Sequence, residues 1–239
     1  MYRRIALLHM HDGLSDADLA AFERELREVV DRIPGLTHAH LGRHFPNTVG
    51  GGDYTWDLAF ANRHDCPPWS DQLRDADHAG LFAKLVARTD AVQFEATNVH
   101  IAEATITDFV KRTLFLEVDR STPPDKALEF DRVLTGMPRY IDAIRNWAYH
   151  RVDDDFTVGP RRWTHVWEQE FQKLSGLRVD YMVSPYHWGY VDTWFDPESP
   201  HRVVEPGVAH VYCPASASVL AWSMPDGSAS LRALSPRRS

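Results

Sequence analysis

Chemically similar residues return along this chain at a nearly constant interval. Arg4 and Arg112 are 108 positions apart, while Tyr54 with Trp163 and His78 with His187 are each 109 apart. Self-similarity at a fixed spacing constrains architecture before any motif can be read. In the first copy, residues 3–9 (RRIALLH) make an apolar run of strand length. A helical pattern follows, with Ser15 as N-cap, Leu19, Phe22, Leu26, Val29, Val30 and Ile33 at helical spacing, and Pro34-Gly35 as its stop. LTHAHLGRHF alternates as a strand does, NTVGGGD is rich in turn residues, and YTWDLAFA reads as a further strand. PPWSDQLRDADHAGLFAKLVAR supplies a second helical segment and AVQFEATNV a closing strand. The second copy runs through VKRTLFLEV, the helix PPDKALEFDRVLTG, the strands in YIDAIRNWAYHRV and RRWTHVWEQEF, the helical region LSGLRVDYMVSPYHWGYVDTWF and the strand GVAHVYCP. Met137-Pro138 closes its first helix as Ile33-Pro34 closes the earlier one.

Strand, helix, two strands, helix, strand is the ferredoxin-like arrangement. The expected fold is therefore α+β, with tandem ferredoxin-like (βαββαβ) repeats at residues 1–102 and 108–214 and a tail at 215–239. In the tail, SVLAWSM and SASLRAL flank Pro225-Asp226-Gly227 as the limbs of a hairpin would, the alternative being a disordered end rich in Ser, Ala and Arg. Each four-stranded sheet would carry its helices on one face and leave the other apolar face bare. The two bare faces are expected to pack together into an intrachain α+β barrel.

Charge and composition narrow the function classes. With 34 acidic against 26 basic residues and a net charge of −8, the chain lacks the basic surface that nucleic-acid phosphates require. No apolar run approaches the ~20 residues needed to cross a bilayer, and MYRRIALLHMHDG turns polar too soon for a signal peptide. A cytoplasmic protein with no membrane partner is expected. Cys66 and Cys213 form no CxxC pair, so they read as packing residues. Lys84, Lys111, Lys126 and Lys173 are all the lysines, which leaves little scope for Schiff-base chemistry. His9 with His11, and His38 with His40 and nearby His44, put paired imidazoles on strand faces without a carboxylate at diagnostic spacing. They are expected to face solvent, with no metal. Asp153-Asp154-Asp155 lacks the calcium-loop spacing, and GGGD at 50–53 is a turn without the strand-to-helix context of a phosphate loop.

Five of the eight tryptophans, Trp147, Trp163, Trp167, Trp188 and Trp194, lie in the second copy. A strand's period of two would place Trp163, His165, Trp167, Gln169 and Phe171 on one face, as the wall of a pocket for a planar, partly polar ligand or as packed core. In the following helical region, a histidine with an ordinary pKa of ~6.5 can take a proton near neutrality. A tyrosine one to two turns away could donate a hydrogen bond to a developing enolate.

RRIALLHMHDG, a helix ending at IPG, a GG-containing hairpin and DADHAGLF in the first repeat resemble the stress-responsive dimeric α+β barrel (Dabb) family. WTHVWEQEF followed by YMVSPYHWGY matches more closely, and resembles polyketide cyclases of the olivetolic acid cyclase type within that family. The resemblance implies His187 as catalytic base, assisted by Tyr181 six residues earlier, and His165 as a pocket residue. The first repeat keeps His78 but has Gln72 at the tyrosine position. Both repeats carry an arginine, Arg4 or Arg112, where the cyclases have a functional histidine in the first strand. An arginine there suggests a different substrate, or an anionic group for it to hold. The expected site is thus catalytic His187 and Tyr181, with His165, Trp163, Trp167, Trp188, Arg112, His78 and Arg4 binding substrate.

The leading expectation is a cofactor-independent lyase, cyclase or isomerase, acting by general acid–base catalysis on an aromatic or polyketide-like small molecule. One alternative is a haem-binding or oxygen-dependent monooxygenase-type barrel. Another is a non-catalytic, stress-associated barrel that binds a small molecule. Beyond that ligand, the expected partner is a second copy of the chain in a homodimer.

Overall fold

The computed structural model describes residues 1–69, 76–156 and 158–223. The first copy builds β1 (Tyr2–Met10), α1 (Asp16–Val30), β2 (Leu36–Arg43), β3 (Tyr54–Phe60), α2 (Ala76–Leu85) and β4 (Val86–Glu95). α1 begins at a reciprocal capping box: the Asp18 N–H donates to the Ser15 hydroxyl, and the Ser15 N–H donates to the Asp18 carboxylate. Its apolar stripe buries Phe22, Leu26, Val29 and Val30 against the sheet, whose order is β2-β3-β1-β4. A short strand β5 (Val99–Ile101) follows, and then β6 (Phe109–Leu116), α3 (Pro124–Gly136), β7 (Ile144–Arg151), β8 (His165–Phe171) and β9 (Ala209–Ala215). The second sheet runs β5-β7-β8-β6-β9, the same topology with β5 added at one edge. The stretch expected to close the first repeat is therefore divided, its first part pairing in the first sheet and Val99 pairing with Ala148 in the second. This is a tandem ferredoxin-like α+β fold.

The two sheets meet face to face. Ile5, Leu7, Val92 and Phe94 of the first pack against Phe115, Trp163, Val166, Ala209 and Val211 of the second. The outer faces bury Trp56, Leu58 and Phe60 under α1, and Leu114 and Trp167 under α3. The GGGD turn joins the repeats. Val49 and His210 exchange two backbone hydrogen bonds of 2.9 and 2.7 Å. A Cβ on Gly51 would stand 2.1 Å from Val211 Cγ1, so only glycine lets the loop approach this closely.

Strand register refines the repeat. Arg4 lies opposite Leu58 and Gln93, and Arg112 opposite Gln169 and Tyr212, so equivalent positions are 108 apart in the first strands, 111 in the third and 119 in the last. Tyr54 accordingly corresponds to His165 and not to Trp163. Insertions before β8 and before β9 account for the drift.

Between the sheets lies a closed cluster of four charges. Arg3 bonds Asp57 at 2.6 Å and Glu168 at 2.7 Å, while Lys111 Nζ lies 3.0 Å from Asp57 and 2.9 Å from Glu168. All four side chains are fully buried. Each repeat contributes one cation and one anion, so the cluster is formally neutral. Burial alone would raise the Glu168 pKa, but Arg3 and Lys111 overcome it and bring the group down to about 2.

Two local expectations are corrected. The first limb of the tail hairpin is instead a single tight helical turn, Leu220–Ser223. The buried Glu170 carboxylate holds it by accepting from the Val219 and Leu220 N–H groups at 2.8 and 3.1 Å and from the Ser218 hydroxyl at 2.7 Å. The second limb lies outside the described residues. The strand histidines also do not face solvent as a group. His40 is half-buried with Nε2 3.7 Å from Cys213 Sγ, and His44 bridges the Gly52 carbonyl and Thr55 hydroxyl at 2.8 Å each. Among the described residues no three His, Cys, Asp or Glu side chains are grouped to hold a metal, and no helix is long and apolar enough to cross a membrane.

Burial pushes His40, His44, His150 and His165 down to about 4. Below the ordinary histidine pKa the unfolded chain takes up protons that the folded chain refuses, so stability present above pH ~6.5 is lost as pH falls toward 4. Each such histidine is expected to contribute a loss of about 1 kcal/mol per pH unit in that window. Urea midpoints measured from pH 7.5 to 4.5 check this, and a flat series contradicts it.

Candidate functional site

Alternation along β6 sends Lys111 into the inter-sheet cluster and the next residue, Arg112, to the helical side of the second sheet. There Arg112 stands opposite Gln169 on β8, and His210 on β9 shares its face. The chain that covers this face is not a regular α-helix. Two wide π-helical turns, Gly176–Tyr181 and His187–Val191, are interrupted at Ser184-Pro185. Proline lacks the N–H that would continue the helix and pushes its predecessor out of helical geometry. In a regular α-helix, residues six apart point about 120° away from each other. Here the rings of Tyr181 and His187 stand 4.3 Å apart. Irregular π turns of this kind recur at functional sites.

Arg112 is the hub. Its Nε donates to His210 Nε2 at 2.7 Å, and Nη1 donates to Gln169 Oε1 and, at 3.1 Å, to the Tyr181 hydroxyl oxygen. The guanidinium also lies 4.7 Å over the Tyr181 ring. Because Tyr181 accepts from Arg112, its own O–H proton remains for another acceptor. His187 Nε2 faces Asp192 Oδ1 at 3.5 Å. His187 Nδ1 and Gln169 Nε2 are buried with no hydrogen-bond partner among the described residues.

The electrostatics leave both groups of the Tyr–His pair neutral at pH 7. Burial raises the Tyr181 phenol above its ordinary value while Arg112 pulls the other way. Burial lowers His187, opposed by Asp192 and reinforced by Arg112. His210 is pushed down to about 2 by burial, Arg112 and His187, so it serves Arg112 as a neutral acceptor. The arrangement offers a neutral imidazole with a free ring nitrogen, a phenol with a free proton, and amide and guanidinium donors.

The structure gathers only part of the expected set. Trp163 precedes β8 and turns to the opposite face, edge-on to Phe115 at 5.7 Å, so it belongs to the inter-sheet core. Trp188 is 60% exposed beside His187. Trp167 is fully buried core against Trp147 and Tyr149. His165 shares the β8 face but lies about 13 Å along the strand from Gln169. Its Nδ1 is engaged with the Thr164 hydroxyl at 2.8 Å and its ring stacks on Tyr149. Arg4, the first-repeat counterpart of Arg112, is buried between Trp69 and Phe156 and donates to the Pro67 carbonyl at 2.7 Å. His78 falls within α2, with its side chain outside the described residues, as is Gln72. Sequence reasoning missed His210 and Asp192. The alternation of AHVYCPA, which sets His210 and Tyr212 on one face, is the signal that could have found the first. A separate groove of about 840 Å³, lined among others by Arg27, His40, Phe109, Lys173 and Trp222, contains none of these site residues.

Comparison with known proteins agrees with this architecture. An anthrone oxidase-like protein superposes with a TM-score of 0.62 at 10% identity, covering 89% of this chain and 90% of its own. Chlorite dismutase from Candidatus Nitrospira defluvii, as the R173K mutant, gives 0.53 at 10% identity over 89% of this chain and 90% of its own. At such identities the likeness is one of fold. No curated protein matches the sequence. The model of the stress responsive A/B barrel domain (Dabb) matches residues 110–205, which hold Arg112, Gln169, Tyr181, His187 and Asp192. Over that second-repeat stretch the chain is similar to the stress responsive A/B barrel (Dabb) family.

Proposed function

We propose that this chain is a lyase, cyclase or isomerase that works by general acid–base catalysis on an aromatic or polyketide-like small molecule. The observation that carries the reading is the packing of His187 against Tyr181 above Arg112. With Nε2 turned to Asp192, His187 Nδ1 is the basic nitrogen, suited to removing a proton from carbon next to a carbonyl. Tyr181 donates its hydroxyl proton to the oxygen on which negative charge develops. Arg112, bonded to the same phenolic oxygen, holds that donor in place and strengthens it.

A haem-dependent reading needs an imidazole nitrogen open to a broad cavity. In the separate groove the lining histidine, His40, directs Nε2 at Cys213. In the site, His210 Nε2 takes the Arg112 hydrogen bond and His187 Nε2 faces Asp192. These residues do not fit axial ligation of haem. A non-catalytic binding role would use the same residues without turnover, and the experiment below separates the two.

The test incubates the protein with a panel of aryl and alkyl β-polyketones and hydroxyaryl ketones, follows products by mass spectrometry, and records kcat/KM against pH. Because His187 titrates below its ordinary ~6.5, the rate is expected to rise with pH below that value and stay flat through neutrality. It should fall only above pH ~10, where Tyr181 ionises. Binding without conversion overturns catalysis in favour of the binding role. A rate that falls between pH 5 and 7 overturns His187 as base.

A further inference from the structure

Two adjacent cations on β6 are treated in opposite ways. Lys111 is buried against two carboxylates, as its counterpart Arg3 is in the first repeat. Arg112, 4% exposed, has no carboxylate within ion-pair distance among the described residues. All its partners are neutral: an amide oxygen, a phenol and an imidazole. Asp192, which faces His187 Nε2 at 3.5 Å, is half exposed. A desolvated guanidinium without a counter-charge is costly, and the cost is offset when an anion arrives. Between the sheets the chain itself supplies carboxylates to the buried cations. At Arg112 none is supplied.

We infer that the ligand of this site carries a carboxylate, received by Arg112 together with the Gln169 amide nitrogen. The inference rests on the acid–base reading for the location of the site, and adds the class of molecule. Arg112 Nη2 makes no hydrogen bond among the described residues, because Nε and Nη1 carry its three contacts. Gln169 Oε1 is committed to Nη1, which turns Nε2, buried and unpartnered, into a second donor. A planar guanidinium beside an amide N–H matches the two oxygens of a carboxylate. Lysine would not reproduce this fork. The substrate class is therefore an aromatic or polyketide-like acid, anchored at Arg112 with its reacting carbon toward His187.

Calorimetric titration of the full chain with salicylate and with its uncharged analogue salicylamide tests this. Wild type is expected to bind salicylate at least tenfold more tightly than the amide. Arg112→Gln should lose at least tenfold in salicylate affinity and abolish the preference for the acid over the amide. Gln169→Glu places a carboxylate of the chain against the guanidinium; it is expected to fold with an undiminished Tm while losing the preference for the acid. Equal affinity of acid and amide for wild type, binding of neither, or undiminished salicylate binding by Gln169→Glu overturns the inference. Turnover of neutral polyketones without any preference for acids would overturn only this inference and leave the acid–base reading standing. Tight salicylate binding with no turnover of any substrate would do the reverse.

Discussion

Replacing Glu168 with glutamine is expected to lower folding stability by about 3–5 kcal/mol, the cost of breaking one partner out of a buried ion cluster. Glu168 is the shared anion of Arg3 and Lys111, and both cations are fully buried, so its neutralisation leaves two charges to be balanced by Asp57 alone. Urea unfolding at pH 7 measures the loss, and a cost under about 1 kcal/mol would show that the cluster is not what holds the faces. Replacing all four charges with apolar residues of similar volume is expected to be far milder, because the desolvation penalty disappears along with the attraction. The cluster is therefore expected to contribute register more than net stability. Arg3 reaches from the first sheet to Glu168 and Lys111 from the second to Asp57, so a sheet-on-sheet slip would break both cross-sheet pairs and leave each sheet only its own Arg3–Asp57 or Lys111–Glu168 pair. Since the Glu168 pKa is depressed to about 2, its contribution is complete above the ordinary carboxylate range and is lost as pH falls toward that value.

The second large effect concerns turnover. His187→Ala is expected to lower kcat by about 10²- to 10⁴-fold, the usual contribution of a positioned general base, with KM little changed. Tyr181→Phe removes the donor to the developing oxyanion and is expected to cost about 10²-fold in kcat. It also deprives Arg112 Nη1 of one acceptor. Stability should separate the two variants. His187 lies on the partly exposed side of its turn, whereas Tyr181 is buried edge-on against Phe171, so the tyrosine variant should show the larger fall in Tm. Unchanged kcat in His187→Ala would sink the catalytic assignment even with an intact fold.

Much of the architecture was legible in local patterns. The Ser15 cap, the stop at Pro34-Gly35 and the alternation in LTHAHLGRHF each act within a few residues, and the elements form where these signals put them. The interval of 108 to 109 correctly revealed a repeat but misaligned its later strands. Only the ladder register shows that His165, and not Trp163, stands where Tyr54 does. Of the expected β8 face, Trp163 alone departs. Period two predicts a common face only while the chain is a strand, and β8 begins at His165, after Trp163 has turned away.

Of the site, the Tyr181 and His187 pair was visible as a motif, but their meeting was not. In an ordinary helix six residues of separation would point them apart, and the break at Ser184-Pro185 with its wide turns brings them together. His210 entered from the last strand, 98 residues away from its partner Arg112. Element type and order were set by the chain locally, because helix caps, turns and alternation depend on near neighbours. Which of two neighbouring cations meets carboxylates was decided only in three dimensions. A buried charge takes its meaning from whatever lies across the face. For Arg3 and Glu168 that partner comes from 165 residues away.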